Sequence, residues 1–219
     1  MVKQQSQGKC LLCNSLLGKA GMTKHLKSCI QNSVNHKKTN NKKFFHIMVE
    51  GQQSPEYWLH IKASANAKLN NLDGFLRDLW LECCGHLSVF EIEGRRYSSS
   101  PMKEYNEKGM SRKLVDILNP NIKFFYQYDF GTTTALVLRV VSEVETEIKG
   151  KTIQLLSRND PPLITCDNCK NDATHVCAEC IYLEEGWVCD ECVPNHECGE
   201  DMLLPVVNSP RVGMCGYSG

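Results

Sequence analysis

Acidic residues are missing from the first 49 positions of this 219-residue chain, which carry nine lysines instead. Basic residues are scarce at the other end: residues 160–219 hold eleven Asp or Glu against only Lys170 and Arg211. The formal net charge of zero is therefore an average over a basic head, a balanced middle and an acidic tail. Such asymmetry points to a nucleic-acid contact at the head, or to a solvated lysine-rich terminus. Long apolar runs are also missing. No stretch reaches the about 18 residues of a membrane-crossing helix. The opening, MVKQQSQGKC, lacks the charged-then-apolar pattern of a secretory leader, so the expectation is a cytoplasmic chain whose thiols stay reduced.

Cysteine is the residue the chain does not lack. There are thirteen, many in C-x2-C pairs, and in a reducing compartment that pattern reads as zinc rather than disulfides. The first set is CLLCNSLLGKAGMTKHLKSC, spaced C-x2-C-x11-H-x3-C. Cys10 and Cys13 sit on a knuckle. His25 and Cys29, four apart, share one face of a helix and can reach one ion. Leu17 and Met22 supply the apolar roof. The spacing resembles the two-Cys two-His zinc finger with Cys as last ligand, although the central spacer is one residue short. About 30 residues cannot bury a core unaided, so metal would have to supply the stability.

The second set runs from Cys166 to Cys198. Cys166, Cys169, Cys177, Cys180, Cys189, Cys192, His196 and Cys198 make eight ligands, enough for two tetrahedral zinc sites. Two wirings satisfy the spacing. Alternate pairs can combine in a cross-brace, giving Cys166, Cys169, Cys189 and Cys192 for one ion and Cys177, Cys180, His196 and Cys198 for the other. Neighbouring pairs can instead combine sequentially. His175 is a spare ligand. Three zinc ions are thus expected, one in the head and two in the tail. Four thiolate-rich ligands leave no open position for a reactive water, so the expected role is structural rather than catalytic.

Between these sets the pattern predicts an α+β body: a central mixed or antiparallel sheet with a long helix packed on one face, flanked by two small zinc-stabilised modules. FFHIMVEG and EYWLHIKAS read as strands, with Tyr57, Leu59 and Ile61 on one face. Leu69, Leu72, Leu76, Leu79, Trp80 and Cys83 recur at helical spacing. Cys83 and Cys84 then read as buried thiols, His86 as an ordinary residue at a strand start, and Cys215 as structural. Ser111 reads as the N-cap of a short helix. Ile122, Phe124, Tyr126, Tyr128 and Phe130 line one face of a hairpin, with Asp129 ordering its turn. The predicted divisions are a finger at 1–30, a polar basic linker at 31–43 that includes His36, the body at 44–159 and a zinc-binding region at 160–219.

The run Tyr126, Tyr128, Asp129, Phe130 and Gly131, together with WLHIKASANAKLNNLDGFLRDLW and HLSVFEI, resembles the plasmid pRiA4b ORF-3-like family over Phe44 to Arg158. The tail LPVVNSPRVGMCGYSG looks like the ending of zinc-bearing members. The resemblance implies a link to mobile elements, since members carry transposon-passenger or resolvase labels, but no established activity. The family motif continues with an acidic residue, a tryptophan and a histidine, whereas this chain continues Thr132, Thr133, Thr134, Ala135. No nucleophilic serine backed by arginines is present, as a recombinase of the serine type would need. The expected function is a non-enzymatic zinc protein that binds nucleic acid through the basic head and protein through the acidic tail. A nucleic-acid-processing enzyme and a pure protein-interaction scaffold are the alternatives.

Overall fold

The computed structural model describes residues 6–32, 42–146 and 151–219. Most of the linker, with His36, Lys37 and Lys38, lies outside the described residues. Thirteen strands and two α-helices follow the order β1 (Gln7–Cys10), β2 (Leu16–Gly18), α1 (Lys19–Asn32), β3 (Lys42–Gly51), β4 (Trp58–Ser64), α2 (Leu69–Leu76), β5 (Ser88–Ile92), β6 (Arg95–Ser98), β7 (Lys108–Gly109), β8 (Lys123–Tyr128), β9 (Thr134–Thr146), β10 (Ile153–Asn159), β11 (His175–Cys177), β12 (Trp187–Val188) and β13 (Leu203–Pro205). Ten strands form one sheet in the order β2-β1-β10-β4-β3-β9-β8-β5-β6-β7, and three form a second in the order β12-β11-β13. The large sheet is mixed only at its edge, where β6 and β7 run parallel.

Alternation along β3 and β4 builds two cores from one sheet. Phe45, Ile47, Val49, Leu59 and Ile61 face α2, with Phe124, Tyr126, Tyr128, Leu136 and Leu138 from β8 and β9. Trp58, Val144 and Leu156 belong to a second cluster under α1, which contributes Met22, Leu26 and Ile30 at four-residue intervals. The finger hairpin is part of the main sheet, because β1 pairs antiparallel with β10 through Gly8 opposite Asn159. Gly8 lies against the Trp58 ring and the Arg158 carbonyl, where a Cβ has no room. The tail also reaches the main core: Val176 and Val212 are buried in it, and Ile181, Trp187, Leu204 and Val207 pack against it.

The long helix expected over the body is not there. α2 has eight residues and passes into a five-residue π-helical turn, Arg77–Leu81. The longest helix, α1, has 14 residues and belongs to the finger. The chain leaves the helical path at Glu82, which adopts an extended backbone. The Glu82 carboxylate accepts hydrogen bonds from the Gly85 amide, Arg77 and the Tyr128 hydroxyl, and these contacts favour the turn over another helical turn. Two smaller expectations also change. Phe130 lies beyond β8 and is 47% exposed. The short helix after Ser111 is a single 3-10 turn at Leu114–Asp116, preceded by Lys113 as its cap position.

Candidate metal centres

Four groups of side chains bring their ligand atoms within 4.8 Å of one another: Cys10, Cys13, His25 and Cys29; Cys166, Cys169, Cys189 and Cys192; Cys177, Cys180, His196 and Cys198; and Cys83, Cys84, His86 and Cys215. Together they use every one of the thirteen cysteines. All thirteen are free thiols. The described residues therefore hold four clusters able to take a metal ion, not three.

The first is built by a knuckle at the end of β1 and by α1. The Asn14 amide donates to the Cys10 carbonyl and the Cys10 amide to the Ser15 carbonyl. Asn14 takes a left-handed backbone, which reverses the chain just after Cys13. Cys13 Sγ lies 3.2 Å from His25 Nε2, and Cys10 Sγ 4.0 Å from Cys29 Sγ. The Ser15 hydroxyl, helped by its backbone amide, lowers the Cys13 thiol to about 6, while burial pushes Cys29 up to about 12. One thiol is thus already held near ionisation, and an ion would have to draw the proton from the other.

The tail repeats the same local device. Lys170, directly after Cys169, is left-handed like Asn14, and its amide donates to the Cys166 carbonyl. Cys169 Sγ and Cys189 Sγ are 3.4 Å apart. Burial opposes ionisation of Cys166, but backbone amides outweigh it and bring the thiol down to about 6. In the third cluster Cys180 Sγ lies 3.8 Å from His196 Nε2 and 3.6 Å from Cys198 Sγ. Gly186 closes the packing beneath it. Its φ is +106°, and a Cβ there would stand 2.9 Å from the Cys180 Cβ. The alternate pairs share clusters, which is the cross-brace arrangement. His175 joins neither; its Nδ1 is 3.0 Å from the Thr174 hydroxyl and 3.4 Å from Asp190.

Each of these three clusters offers four ligands, and the second is all thiol. Such a donor set suits a thiophilic divalent ion in a closed tetrahedral site. In the head and tail, the geometry gathers the twelve residues singled out by spacing into three groups of four.

The fourth cluster corrects the reading of Cys83 and Cys84 as buried thiols. Cys83 is half-buried, Cys84 is exposed, and both sit beside His86 and Cys215. A signal was present in the run Cys83, Cys84, His86. Its fourth member lies 129 residues beyond the histidine, and no second local pair announces it.

At the start of the finger helix Lys19 and Thr23 turn to the body, while Ala20 and Gly21 are exposed. Lys19 donates to Glu50 at 2.7 Å and to the Pro55 carbonyl, and the Thr23 hydroxyl meets His60 at 3.3 Å. Lys24 and Lys27 remain exposed on the outer face. A different basic surface lies on the body. Lys68, Lys108, Arg112 and Lys113 line an open cleft of about 540 Å³, with Asp116 as its single acid. The backbone holds this cleft in shape. The Leu69 amide donates to the Arg112 carbonyl, Asn70 to Met110 and Leu114 to Ala67.

No helix among the described residues is long and apolar enough to cross a membrane. Comparison with protein-family models gives no match, and neither does comparison with curated proteins. Among solved structures, the chain is similar to the protein of unknown function MM3350 from Methanosarcina mazei Go1. The two are 16% identical, with 54% of this chain and 70% of that chain covered and a TM-score of 0.48.

Proposed function

We propose that the chain is a zinc-stapled, non-enzymatic binding module that grips a nucleic-acid backbone through the basic cleft of its body. The observation that carries this reading is the convergence of Lys68, Lys108, Arg112 and Lys113 on one concave surface held by backbone hydrogen bonds. Four cations facing one acid favour a polyanion, and none of the four is committed to a base-reading element. Zinc is the metal that the sulfur-rich four-ligand sets fit best, and its role there is to hold the finger and tail in shape. Kinship with the pRiA4b ORF-3-like family rests on the sequence resemblance alone. A link to mobile elements rests on that kinship.

The test is a salt titration of binding to duplex DNA and to RNA. Four phosphates neutralised give a log–log slope of about −3.6 on duplex DNA. The Lys68→Gln/Arg112→Gln variant should reduce the slope by about half. An unchanged slope, or no binding at low salt, removes the cleft from the function. The second reading, a protein-interaction surface on the tail, is favoured by Tyr182 and Leu183. They are 59% and 76% exposed on the turn of the third cluster, beside exposed Glu184 and Glu185. Loss of a co-purifying protein from a Leu183→Asp variant, with cleft binding intact, would support it.

A further inference from the structure

We infer that Cys83, Cys84, His86 and Cys215 form a fourth zinc-type centre, and that this centre is a clasp fastening the C-terminal segment to the body. The inference goes beyond the proposed function, because it concerns a site apart from the three clusters of the finger and tail.

Three lines of geometry converge on it. First, the ligands come from three places: the exit of the π-helical turn, the approach to β5 and the chain end. Their atoms still fall within 4.8 Å, and His86 Nε2 lies 3.3 Å from Cys215 Sγ. Second, both approaches are shaped to deliver them. Glu82 captures the Gly85 amide at 2.6 Å, and Gly85 takes a left-handed backbone that turns the chain back towards His86. On the other side, Cys215 is itself left-handed, between Gly213 and Gly216, which are left-handed too. A cysteine in that region is strained, and such strain persists where surrounding contacts hold it. Third, the surroundings suit thiolates around a cation. Arg211 Nη2 donates to Cys83 Sγ at 3.4 Å and to Asp129 at 2.8 Å. Asp129 Oδ2 stands 3.6 Å from His86 Nε2, and the His86 ring meets Tyr128 edge-on at 5.8 Å. Three thiolates, one neutral imidazole and a divalent ion carry one net negative charge, which the Arg211 guanidinium faces.

Three sulfurs and one imidazole make the donor set of a thiophilic divalent ion such as Zn²⁺. Its position gives it a task the other three do not have. It closes a loop between His86 and Cys215, separated by 129 residues, and long loops gain most from closure. It also differs in access. Each of the other clusters has at least one fully buried ligand, whereas this one has none. The clasp should therefore exchange its ion first.

The experiment is native mass spectrometry of the full chain, loaded with Zn²⁺ and dialysed into metal-free buffer. Four ions are expected for the wild type, and three for Cys215→Ser. Cys84→Ser is a second variant, at an exposed side chain where packing is undisturbed, and it should also hold three. Hydrogen exchange of residues 209–217 should rise in both variants and on release of the first ion by a chelator. Three ions in the wild type, or four in both variants, overturn the clasp and leave the other centres standing. Fewer than three in the wild type overturn the proposed function as well.

Discussion

Arg211 and Asp129 lie 82 positions apart and meet at 2.8 Å in a space closed to water, with the arginine side chain fully buried and the aspartate 6% exposed. Burial alone would raise the Asp129 carboxyl. The Arg211 guanidinium and the amides of Gly131 and Thr132 outweigh burial and hold it below its ordinary value. The same guanidinium binds the Thr132 carbonyl and the Thr134 hydroxyl, so one side chain ties the tail to the β8–β9 turn. Removing one partner of such a pair leaves a buried charge uncompensated. Arg211→Ala is expected to cost about 3–5 kcal/mol in denaturant unfolding. Arg211→Met with Asp129→Asn should recover part of that loss, since neither charge is then stranded. A cost within about 0.5 kcal/mol for the single variant would show that the pair is not a fastening.

His46 and His60 are expected to stay neutral well below the usual histidine range. Both rings are fully buried beneath α1, with His46 Nε2 2.9 Å from His60 Nδ1. Burial, with Lys27 nearby, lowers His46 to about 4; burial and the neighbouring ring lower His60 to about 3. The unfolded chain takes up these protons near pH 6.5 and the folded chain does not. The pair's contribution is therefore intact above about pH 6.5 and is lost as pH falls towards 4 and then 3. With two protons linked, the loss is on the order of 2–3 kcal/mol per pH unit in that window. Ring carbon shifts followed by NMR from pH 8 to 5 provide the check. A midpoint near 6.5 for either ring contradicts the expectation.

Cys189→Ser should unsettle more than the tail. It breaks a four-thiol centre whose surrounding strands lean on the main core through Val176, Trp187 and Leu204. The expected result is one cooperative thermal transition at a lower temperature, seen alike by Trp187 in the tail and by Trp58 and Trp80 in the body. Single-tryptophan versions separate the signals. If Trp58 and Trp80 report an unchanged transition while Trp187 reports early melting, the tail folds as its own unit.

Gly186→Ala should weaken the third centre alone. The new Cβ would meet the Cys180 Cβ at 2.9 Å, on a backbone with φ of +106° that L-residues rarely adopt. A destabilisation above about 1 kcal/mol is expected. Native mass spectra should show one ion lost at a chelator level that leaves the wild type fully loaded. Equal retention in both proteins would remove the strain argument.

Much of the site was legible because a knuckle is local. Two cysteines three apart, with a left-handed residue after them at Asn14 and Lys170, announce a ligand pair from spacing alone. Which pairs share an ion is decided by how β11 and β12 bring Cys177 and Cys189 into place, and spacing permitted two answers. The fourth cluster has no paired spacing, and Cys215 is brought to it by Arg211 and its contacts rather than by a neighbour in sequence. In the fold, alternation announced β3 and β4 and the face of Leu59 and Ile61, while the opposite face, with Trp58 under α1, went unread. The helical period through Cys83 overstated α2, because Glu82 satisfies Gly85, Arg77 and Tyr128 instead of continuing the helix. The place of the finger was hidden for a similar reason: the strand that receives β1 comes near the end of the body.

That strand, β10, stands between β1 and β4 and pairs with both. During synthesis, then, neither neighbour can close its free edge until residue 159 has left the ribosome. The finger ligands Cys10, Cys13, His25 and Cys29 emerge long before and can gather on an ion by themselves. Until then the β4 edge is open to any other extended chain, the exposure that favours misassociation. Its closing pairing joins distant parts of the sequence, which slows folding. A chain halted before residue 159 should therefore expose the β1 and β4 edges whether or not the finger has taken its ion.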